Sequence, residues 1–399
     1  MEKIHDIMLK SVQKNLDTAI ALKQYLYDHP ELPCQEIQSS KEIVQTLQVA
    51  GYEVEYPFME DILGYSTAFR AVLRNGDGPG VAIMVEYDAL PELGHGCGHN
   101  FHGALCVLSA LALSELREHF SGTLYVIGTP AEEAEGAKVP MADAGVFDNM
   151  SLACMMHTWG ASRSQANMDV LALQCYIIEF FGQQAHAAAS PWQGRSALAA
   201  ARKFLDLIDA RRECFTPDMR CNAIITDGGK SPNIIPEYAS VRLEYRTDSH
   251  AKLKQMDESV KKCAQGAALA LDCTVTFKSA FDAFADMVRN TSLENEMAKI
   301  MSDYGFEVED IQPPAGSSDV GNVSYRCPTI QTLISVTDAN YPLHTVALRE
   351  CTMHPEAHFR MRNGAAALAS LVLRVFTDQS FREGVESNFK KERALKLGE

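Results

Sequence analysis

The 399-residue chain lacks the long apolar runs, the excess of basic residues and the paired cysteines that mark several broad classes of protein. No run of ~18 apolar residues occurs, so no membrane span is expected, and MEKIHDIMLKSVQKNL at the N-terminus lacks the apolar core of a signal peptide. The net charge of −16 argues against nucleic acid or an anionic membrane as a partner. Eleven cysteines without a Cys-x-x-Cys pair disfavour a disulfide framework and indicate a reducing, cytoplasmic setting.

Sequence motifs of nucleophilic and phosphate chemistry are also missing. The chain has no Gly-x-Ser-x-Gly elbow and no Gly-x-x-x-x-Gly-Lys-Ser/Thr loop. The segment HPEAH places His354 and His358 at zincin spacing, but no glutamate directly follows the first histidine. Pro355 there is typical of a helix start, so we interpret this segment as structural.

The length and the order of elements predict two domains of α/β type. Amphipathic helices are predicted at 3–28 and 38–50. Short buried strands alternating with a helix, ALCVLSALALSELREH, indicate βαβ units around a largely parallel sheet; the predicted strands are 67–74, 81–86, 123–128 and 152–157. From residue 172 the order strand, helix, strand, strand, helix, strand is that of a ferredoxin-like α+β sandwich. We therefore expect a mostly parallel mixed sheet flanked by helices, formed by 1–171 and 285–399, with an inserted domain at 172–284.

The stretch GHGCGHNFHG follows the predicted strand VAIMVE and carries three histidines and one cysteine. Cys97 and His99 cannot share one face of a helix, but a glycine loop can turn both toward one ion, and thiolate and imidazole are good zinc-type ligands. Asp88 is placed to accept the second N–H of a ligand histidine. The alternative interpretation is a tight turn with exposed histidines. We assign His95 and His102 to loop packing or to a supporting role.

Two further predicted strand ends carry side chains that can bind metals. AEEAEG follows TLYVIG and places Glu132 beside Glu133, and LACMMH ends on His157. The carboxyl ends of parallel strands form the edge at which α/β sheets build their sites. A metal hydrolase needs one carboxylate as a ligand and another to take a proton from water, and an adjacent pair can divide these tasks. The alternatives are a solvated helix start for the two glutamates and a hydrogen-bonded core histidine.

Three segments together, YDALPELGHGCGHN, PAEEAEGAKVPMADAGVF and HAAASPWQGRSAL, resemble the aminoacylase/carboxypeptidase family of metallopeptidases. More narrowly, they resemble the branch of p-aminobenzoyl-glutamate hydrolase, indole-acetyl-amino-acid hydrolases and β-alanyl dipeptide hydrolases. The similarity extends roughly from His29 to Phe376. It implies a catalytic domain of the co-catalytic metallopeptidase type, with an inserted lid that also forms a homodimer.

The resemblance also implies a role for each matched residue. Glu132 becomes the general base for a water activated by two divalent ions, zinc or manganese. Asn100 stands where many relatives have a bridging aspartate; this agrees with the dipeptide-hydrolase branch and implies a weaker second metal. The residues that match the family's metal ligands are Cys97, His99, Glu133, His157 and His344.

The inserted domain supplies three further residues under the same resemblance. His186 matches the histidine that reaches into the partner subunit's site and stabilises the oxyanion. Asn233 and Arg246 match a substrate-binding motif, and an arginine fork suits an α-carboxylate. The loop GSSDVGNVS also matches a motif that faces the family's active site, and we leave the roles within it open.

We therefore expect metal-dependent hydrolysis of an amide or peptide bond in a small N-acyl-amino acid, aminobenzoyl-amino acid or dipeptide. A second hypothesis is a catalytically silent subunit of the same fold that binds a peptide or metal. A third is a cysteine-dependent amidase, which would resist chelators. The complete set of ligand-type residues argues against the second hypothesis.

Overall fold

The computed structural model describes residues 4–399, which form two compact units. The larger unit contains the chain up to Asp169 together with Met287–Pro314 and Ser318–Glu399. The smaller unit contains Val170–Asp286 and Ala315–Ser317. Within residues 4–399, no helix is both long enough and apolar enough to cross a membrane.

The helices are spread over both units. In chain order the α-helices are α1 (Ile4–Asp28), α2 (Ile37–Val49), α3 (Glu60–Leu63), α4 (His99–Ser114), α5 (Lys138–Asp143), α6 (Ala197–Arg211), α7 (His250–Ala270), α8 (Thr291–Asp303), α9 (Val320–Ser324), α10 (Val346–Cys351), α11 (Pro355–Thr377) and α12 (Gln379–Leu397). Short 3₁₀ turns lie at Arg117–His119, Pro191–Gln193 and Arg212–Cys214.

The strands fall into one large sheet and a smaller one, with one isolated short pair. In chain order they are β1 (Glu53–Glu55), β2 (Phe69–Asn75), β3 (Gly80–Val85), β4 (Gly122–Gly128), β5 (Leu152–Trp159), β6 (Ser164–Gln165), β7 (Ala172–Phe181), β8 (Ala185–His186), β9 (Arg220–Asp227), β10 (Ile234–Ile235), β11 (Tyr238–Thr247), β12 (Thr274–Ser279), β13 (Val308–Glu309) and β14 (Thr329–Ser335).

The larger unit is built around an eight-stranded mixed sheet in the order β1-β2-β4-β3-β5-β14-β6-β13. Its four central strands, β4, β3, β5 and β14, are parallel, whereas β1, β2 and β6 are antiparallel to their inner neighbours. The central strands are buried along most of their length, as strands covered by helices on both faces must be. The predicted mostly parallel mixed sheet is confirmed.

Helix α4 is the central helix of the larger unit. Fifteen of its residues, His99 to Leu113, are buried, so the helix is enclosed on all sides. It packs against α1 and α11 and against strands β3 and β5. Because α4 begins directly after the glycine-rich stretch, this packing fixes the position of that stretch relative to the sheet.

The smaller unit has the order β7, α6, β9, β11, α7, β12 around an antiparallel sheet with strand order β12-β7-β11-β9. Val241, Leu243 and Tyr245 alternate along β11 and join one apolar cluster with residues of α6 and α7. The alternation shows that the two helices cover one face of the sheet. This arrangement agrees with the predicted ferredoxin-like α+β order and fits a lid domain.

Three features differ from the sequence prediction, two of them in the C-terminal part of the chain. Helix α12 follows α11 and has no counterpart in the sequence prediction; only Val385 and Phe389 of α12 are buried, so its apolar pattern is weak. The loop GSSDVGNVS contains the short helix α9. His157 lies two residues before the end of β5 and not at its last position.

Gly103 in α4 offers a direct test of how tightly this helix packs against the sheet. A Cβ at this position would overlap the carbonyl oxygen of Glu86, which is backbone and cannot rotate away. We predict that Gly103→Ala lowers the free energy of unfolding by ~1–3 kcal/mol, the usual range for an overpacked core, in urea titrations.

The matched control is Gly384→Ala in the exposed helix α12, where a Cβ meets nothing within 4 Å. Alanine favours helix by ~1 kcal/mol over glycine, so this variant should be as stable as the wild type or more stable. Equal behaviour of the two variants would contradict the close approach of α4 to the sheet.

Candidate metal centre

Three neighbouring parallel strands bring the candidate residues together. Glu86 and Asp88 directly follow β3, Glu132 and Glu133 lie in the loop after β4, and His157 lies near the end of β5. β3 lies between β4 and β5, with all three strands parallel. Their carboxyl ends therefore meet at one edge of the sheet, as the sequence indicated.

The glycine between Cys97 and His99 is required by the backbone. Gly98 has φ +83°, and a Cβ there would lie 2.5 Å from Oγ1 of Thr158. Helix α4 begins at the next residue. This sharp entry into the helix keeps Cys97 outside it and His99 in its first turn, so the two side chains can face one point.

The first cluster consists of Cys97, His99 and Glu133, whose ligand atoms lie within 4.8 Å of one another. Nε2 of His99 is 3.7 Å from Oε1 of Glu133, and within the described chain neither atom has a hydrogen-bond partner. Asp88 positions both residues: its Oδ1 accepts from Nδ1 of His99 at 2.9 Å, and its Oδ2 accepts from the Glu133 backbone N–H at 3.0 Å. The unpartnered atoms are therefore held facing each other.

The second cluster consists of Glu86, His99, His102 and His157, again within 4.8 Å and all buried. His102 uses both ring nitrogens: Nε2–H donates to Oε2 of Glu86 at 2.9 Å, and Nδ1 accepts the backbone N–H of Thr158 at 3.2 Å. No nitrogen of His102 is left to bind a metal. His102 therefore anchors Glu86, which corresponds to the supporting role, one of the two expected from the sequence, and not to loop packing.

Cys97 and His157 form the contact that a cysteine amidase would need. Sγ of Cys97 is 3.7 Å from Nε2 of His157, whose Nδ1–H donates to the Thr158 carbonyl at 2.8 Å. Burial raises the pKa of the Cys97 thiol well above its ordinary value and lowers the pKa of His157. Both shifts oppose a thiolate–imidazolium pair, so this geometry favours the two residues as metal ligands over a nucleophilic pair.

The adjacent glutamates occupy different electrostatic environments. Burial, followed by the charges of Glu86 and Glu133, raises the pKa of Glu132 well above its ordinary value. Burial also acts to raise the pKa of Glu133, but hydrogen bonding to His344 and the charge of His99 outweigh it and lower that pKa to about 2. The carboxyl of Glu132 is thus the more easily protonated of the two, whereas that of Glu133 keeps its negative charge.

His344 lies at the rim of this region. Its side chain is 54% exposed, and Nε2 is 3.5 Å from Oε2 of Glu133. Its backbone N–H donates to the carbonyl of Gly96 at 2.9 Å, which ties the NYPLHT loop to the glycine-rich stretch. The structure thus brings His344 to Glu133, although it lies outside the two tight clusters.

Asn100, the second supporting residue expected from the sequence, is directed toward α10 and the loop after it. Its Nδ2 donates to Oγ1 of Thr352 at 3.1 Å, and that hydroxyl donates to the Arg349 carbonyl at 2.7 Å. The single hydroxyl hydrogen is used, so Thr352 must accept and the orientation of the Asn100 amide is fixed. Oδ1 of Asn100 is buried without a partner within the described chain.

Three buried charged residues of the centre were not identified from the sequence: Glu86, Lys138 and Asp319. The Lys138 ammonium contacts Glu86 and Asp319 at 2.6 Å each. Glu86 stands two residues before Asp88, Lys138 lies in the segment PAEEAEGAK, and Asp319 lies in GSSDVGNVS. Lys138 lies in a segment that carried the resemblance, Asp319 lies in the loop that also matches a family motif, and Glu86 directly precedes a matching segment. A single charged residue does not reveal its burial, so no sequence signal distinguished the three from surface residues.

In the smaller unit, His186 lies on β8 and Asn233 directly precedes β10. His186 pairs with Ile234 in the β8–β10 ladder, next to Asn233. Nδ1 of His186 accepts the backbone N–H groups of Ala188 and Ala189 at 3.2 and 3.1 Å. A neutral His186 therefore carries its hydrogen on Nε2, and the exposed ring offers an N–H donor.

Arg246 of the smaller unit lies on β11 and is partly buried. Its Nε donates to Oε1 of Glu244 at 2.7 Å, and Nη1 approaches Oγ of Ser317 at 3.5 Å. The guanidinium is oriented by these contacts, while its side chain remains 32% exposed. It is thus a partly solvated cation held on a rigid strand.

The donor set of the larger unit fits divalent first-row metals. It combines a thiol, imidazoles and carboxylates, and the unpartnered atoms His99 Nε2 and Glu133 Oε1 are buried polar groups that lack a partner in the described chain. Such orphaned groups are costly unless a cation or water satisfies them. Imidazole, thiolate and carboxylate are all side chains that bind divalent first-row metals.

Comparison with known proteins now decides the family. The model of peptidase family M20/M25/M40 matches residues 82–370. The chain belongs to this peptidase family. It is 32% identical over 389 residues to the Xaa-Arg dipeptidase of Mus musculus, covering 93% of this chain and 88% of that protein. It is 26% identical over 455 aligned residues to a subunit of the p-aminobenzoyl-glutamate hydrolase of Escherichia coli K12, covering 95% of this chain and 93% of that protein.

A solved structure supports the same fold. A dinuclear metal-binding peptidase of the M20 family from Bacillus subtilis aligns with a TM-score of 0.67 at 21% identity, covering 91% of this chain and 99% of that one. The resemblance to the branch with p-aminobenzoyl-glutamate hydrolase and the plant indole-acetyl-amino-acid hydrolases is confirmed. This chain is therefore a metallopeptidase of the M20 type, a metal-dependent hydrolase of amide or peptide bonds.

Proposed function

We propose that this hydrolase is a dipeptidase that uses two divalent ions and prefers substrates with a cationic C-terminal residue. The observation that carries the metal dependence is the pair of unpartnered, buried atoms His99 Nε2 and Glu133 Oε1, which Asp88 holds facing each other. Buried polar atoms without a partner are costly, and a bound cation would satisfy both of them.

We propose zinc or manganese as the ions. The residues that would hold them are Cys97, His99, Glu133, His157 and His344. Bound ions would lower the pKa of a water and polarise the scissile carbonyl. The absence of a carboxylate at Asn100 is consistent with weaker binding of the second ion, since an amide oxygen carries no charge.

Glu132 is the proposed general base. Its raised pKa suits a carboxylate that takes a proton from the attacking water and returns it to the leaving amine. Its side chain is 11% exposed, so it is shielded from bulk water without being sealed off. Glu133, with its lowered pKa, remains charged through the cycle and serves as a ligand.

The smaller unit is the proposed lid and dimerisation domain, spanning 172–284 between the catalytic segments 1–171 and 285–399. His186 would donate its Nε2–H to the developing oxyanion, and the acceptor role of Nδ1 supports this tautomer. Asn233 and Arg246 would bind the substrate, and the Arg246 guanidinium would pair with the substrate's α-carboxylate. Following the family resemblance, we propose that His186 acts in the partner subunit's site.

The preference for a C-terminal arginine or lysine rests on the relative named Xaa-Arg dipeptidase, which is 32% identical to this chain over nearly its whole length. We expect manganese- or zinc-loaded protein to hydrolyse Xaa-Arg and β-alanyl-lysine dipeptides faster than N-acetyl amino acids, aromatic N-acyl amino acids or p-aminobenzoyl-glutamate. The control substrate is the corresponding Xaa-citrulline dipeptide, because the citrulline side chain is close to that of arginine in shape but carries no charge. Equal kcat/KM for the arginine and citrulline dipeptides would refute the cationic preference.

The role of Glu132 can be tested by a substitution that keeps its shape. We predict that Glu132→Gln folds and binds metal as the wild type does but loses ~10²–10⁴-fold in kcat, because its amide cannot accept the proton. The control is Glu135→Gln, which changes an exposed glutamate in the same loop outside the clusters. Near-normal turnover by Glu132→Gln would remove it from the mechanism.

A homodimer through the smaller unit is supported by its sheet edge. β9 is an edge strand, and Ile224 and Ile225 on it are 61% and 40% exposed. An apolar, unpaired edge is a template for strand pairing, and we propose that β9 of a second copy pairs with it. Light scattering should give twice the 43.9 kDa chain mass.

We predict that Ile224→Asp shifts the protein to monomers and lowers its activity, since the partner would no longer supply His186. Ile62→Asp, at a 68% exposed position of the larger unit, is the control and should leave the mass unchanged. A wild-type protein that is monomeric and active would contradict the dimer proposal.

We also propose that the protein works in a reducing compartment such as the cytoplasm. Each of its eleven cysteines is a free thiol. A secreted chain of this cysteine content would be expected to form disulfides.

A further inference from the structure

A third carboxylate cluster lies beside the proposed metal ligands. One oxygen from each of Glu86, Glu132 and Asp319 lies within 4.8 Å of the others. Glu86 and Asp319 are fully buried. Three carboxylates at this separation repel one another strongly away from water, so they require a cation among them. By ligand type alone, this is an oxygen-rich position that manganese or magnesium would accept.

A lysine of the chain itself already supplies that cation. Nζ of Lys138 is 2.6 Å from Oε1 of Glu86 and 2.6 Å from Oδ1 of Asp319. The Lys138 backbone N–H also donates to Oδ2 of Asp319 at 3.0 Å, and the Lys138 side chain is fully buried. Lys138 is therefore held at both its ammonium and its backbone, so the ammonium cannot move out into solvent.

The charge state of this lysine agrees with its position. Burial acts to lower its pKa, but the charges of Asp319 and Glu86 outweigh burial and raise the pKa above the ordinary lysine value. The other oxygen of Glu86 is occupied by His102 Nε2–H at 2.9 Å. Glu86 is thus clamped from both sides, and Glu132 is the only carboxylate of the three without a Lys138 contact at hydrogen-bond distance among the described residues.

We propose that the Lys138 ammonium is a built-in cation that occupies the position of a third metal ion, and that it thereby keeps Glu132 free to move a proton. A divalent ion bound to Glu86 and Asp319 would draw Glu132 in as a third ligand, and a carboxylate bound to metal is a poor base. Lys138 is a positioning residue under this proposal, which rests on the proposed role of Glu132 as the base.

The test is to remove the cation and count metal ions. Lys138→Met leaves Glu86 and Asp319 without a counter-charge, so we expect manganese-saturated protein to contain one more ion per chain than the wild type, by mass spectrometry of metal content. Because the extra ion engages Glu132, kcat should fall ~10²-fold, the scale of a lost general base. Lys138→Met/Asp319→Asn restores the original net charge and removes one ligand, so its ion count should return to that of the wild type.

Lys23→Met is the matched control. Lys23 is also fully buried in the larger unit, but its Nζ donates to a backbone carbonyl, that of Thr352, at 2.5 Å and not to carboxylates. Its removal should leave the ion count unchanged. An additional ion in this control as well, or no additional ion in folded Lys138→Met, overturns the proposal.

Loss of a buried charge partner is strongly destabilising, so folding is measured alongside by circular dichroism. Lys138→Gln, which keeps a hydrogen-bond donor without the charge, carries the same test if Lys138→Met does not fold. If neither variant folds even in millimolar manganese, an ion cannot replace the ammonium and the proposal is wrong. The ion count does not depend on turnover, so an active Glu132→Gln variant would refute the base while leaving this result interpretable.

Discussion

The two oxygens of Asp88 accept hydrogen bonds from residues that follow two different strands of the sheet. One accepts the ring N–H of His99 at the start of α4, and the other accepts the backbone N–H of Glu133 in the loop after β4. A single buried carboxylate thus fixes a histidine tautomer and the position of a neighbouring loop at the same time. The mutual orientation of His99 and Glu133 depends on this one side chain. The arrangement of the ligand atoms of the centre therefore depends on it too.

The many charged side chains around Asp88 explain why the centre contains a buried lysine and retains negative charge. Glu86, Glu132 and Glu133 crowd the same edge of the sheet, where desolvation penalises every unpaired charge. The fold compensates with a buried lysine, Lys138, and leaves the remaining negative charge for divalent ions to neutralise. Metal binding and folding of this edge are therefore expected to be coupled.

Much of this could be predicted from the sequence because it depends on local patterns. Apolar runs identified β3, β4 and β5, and the topology of parallel strands then placed the residues after them at one edge. Glycines on either side of Cys97 indicated the turn that aims it. Lys138 and Asp319 could not be found in this way, because their burial follows from how α5 and α9 pack together and not from their neighbours in sequence. The helix α12 was not predicted from the sequence, because few of its residues are buried.

We propose that the strand ends and the NYPLHT loop form one centre for two metal ions. Anomalous diffraction at the manganese edge, from crystals of manganese-loaded protein, locates such ions directly. We expect two peaks per chain, both contacted by side chains from the set Cys97, His99, Glu133, His157 and His344. Peaks bound by other residues, or a fully loaded protein with no peak at His99 and Glu133, would contradict it.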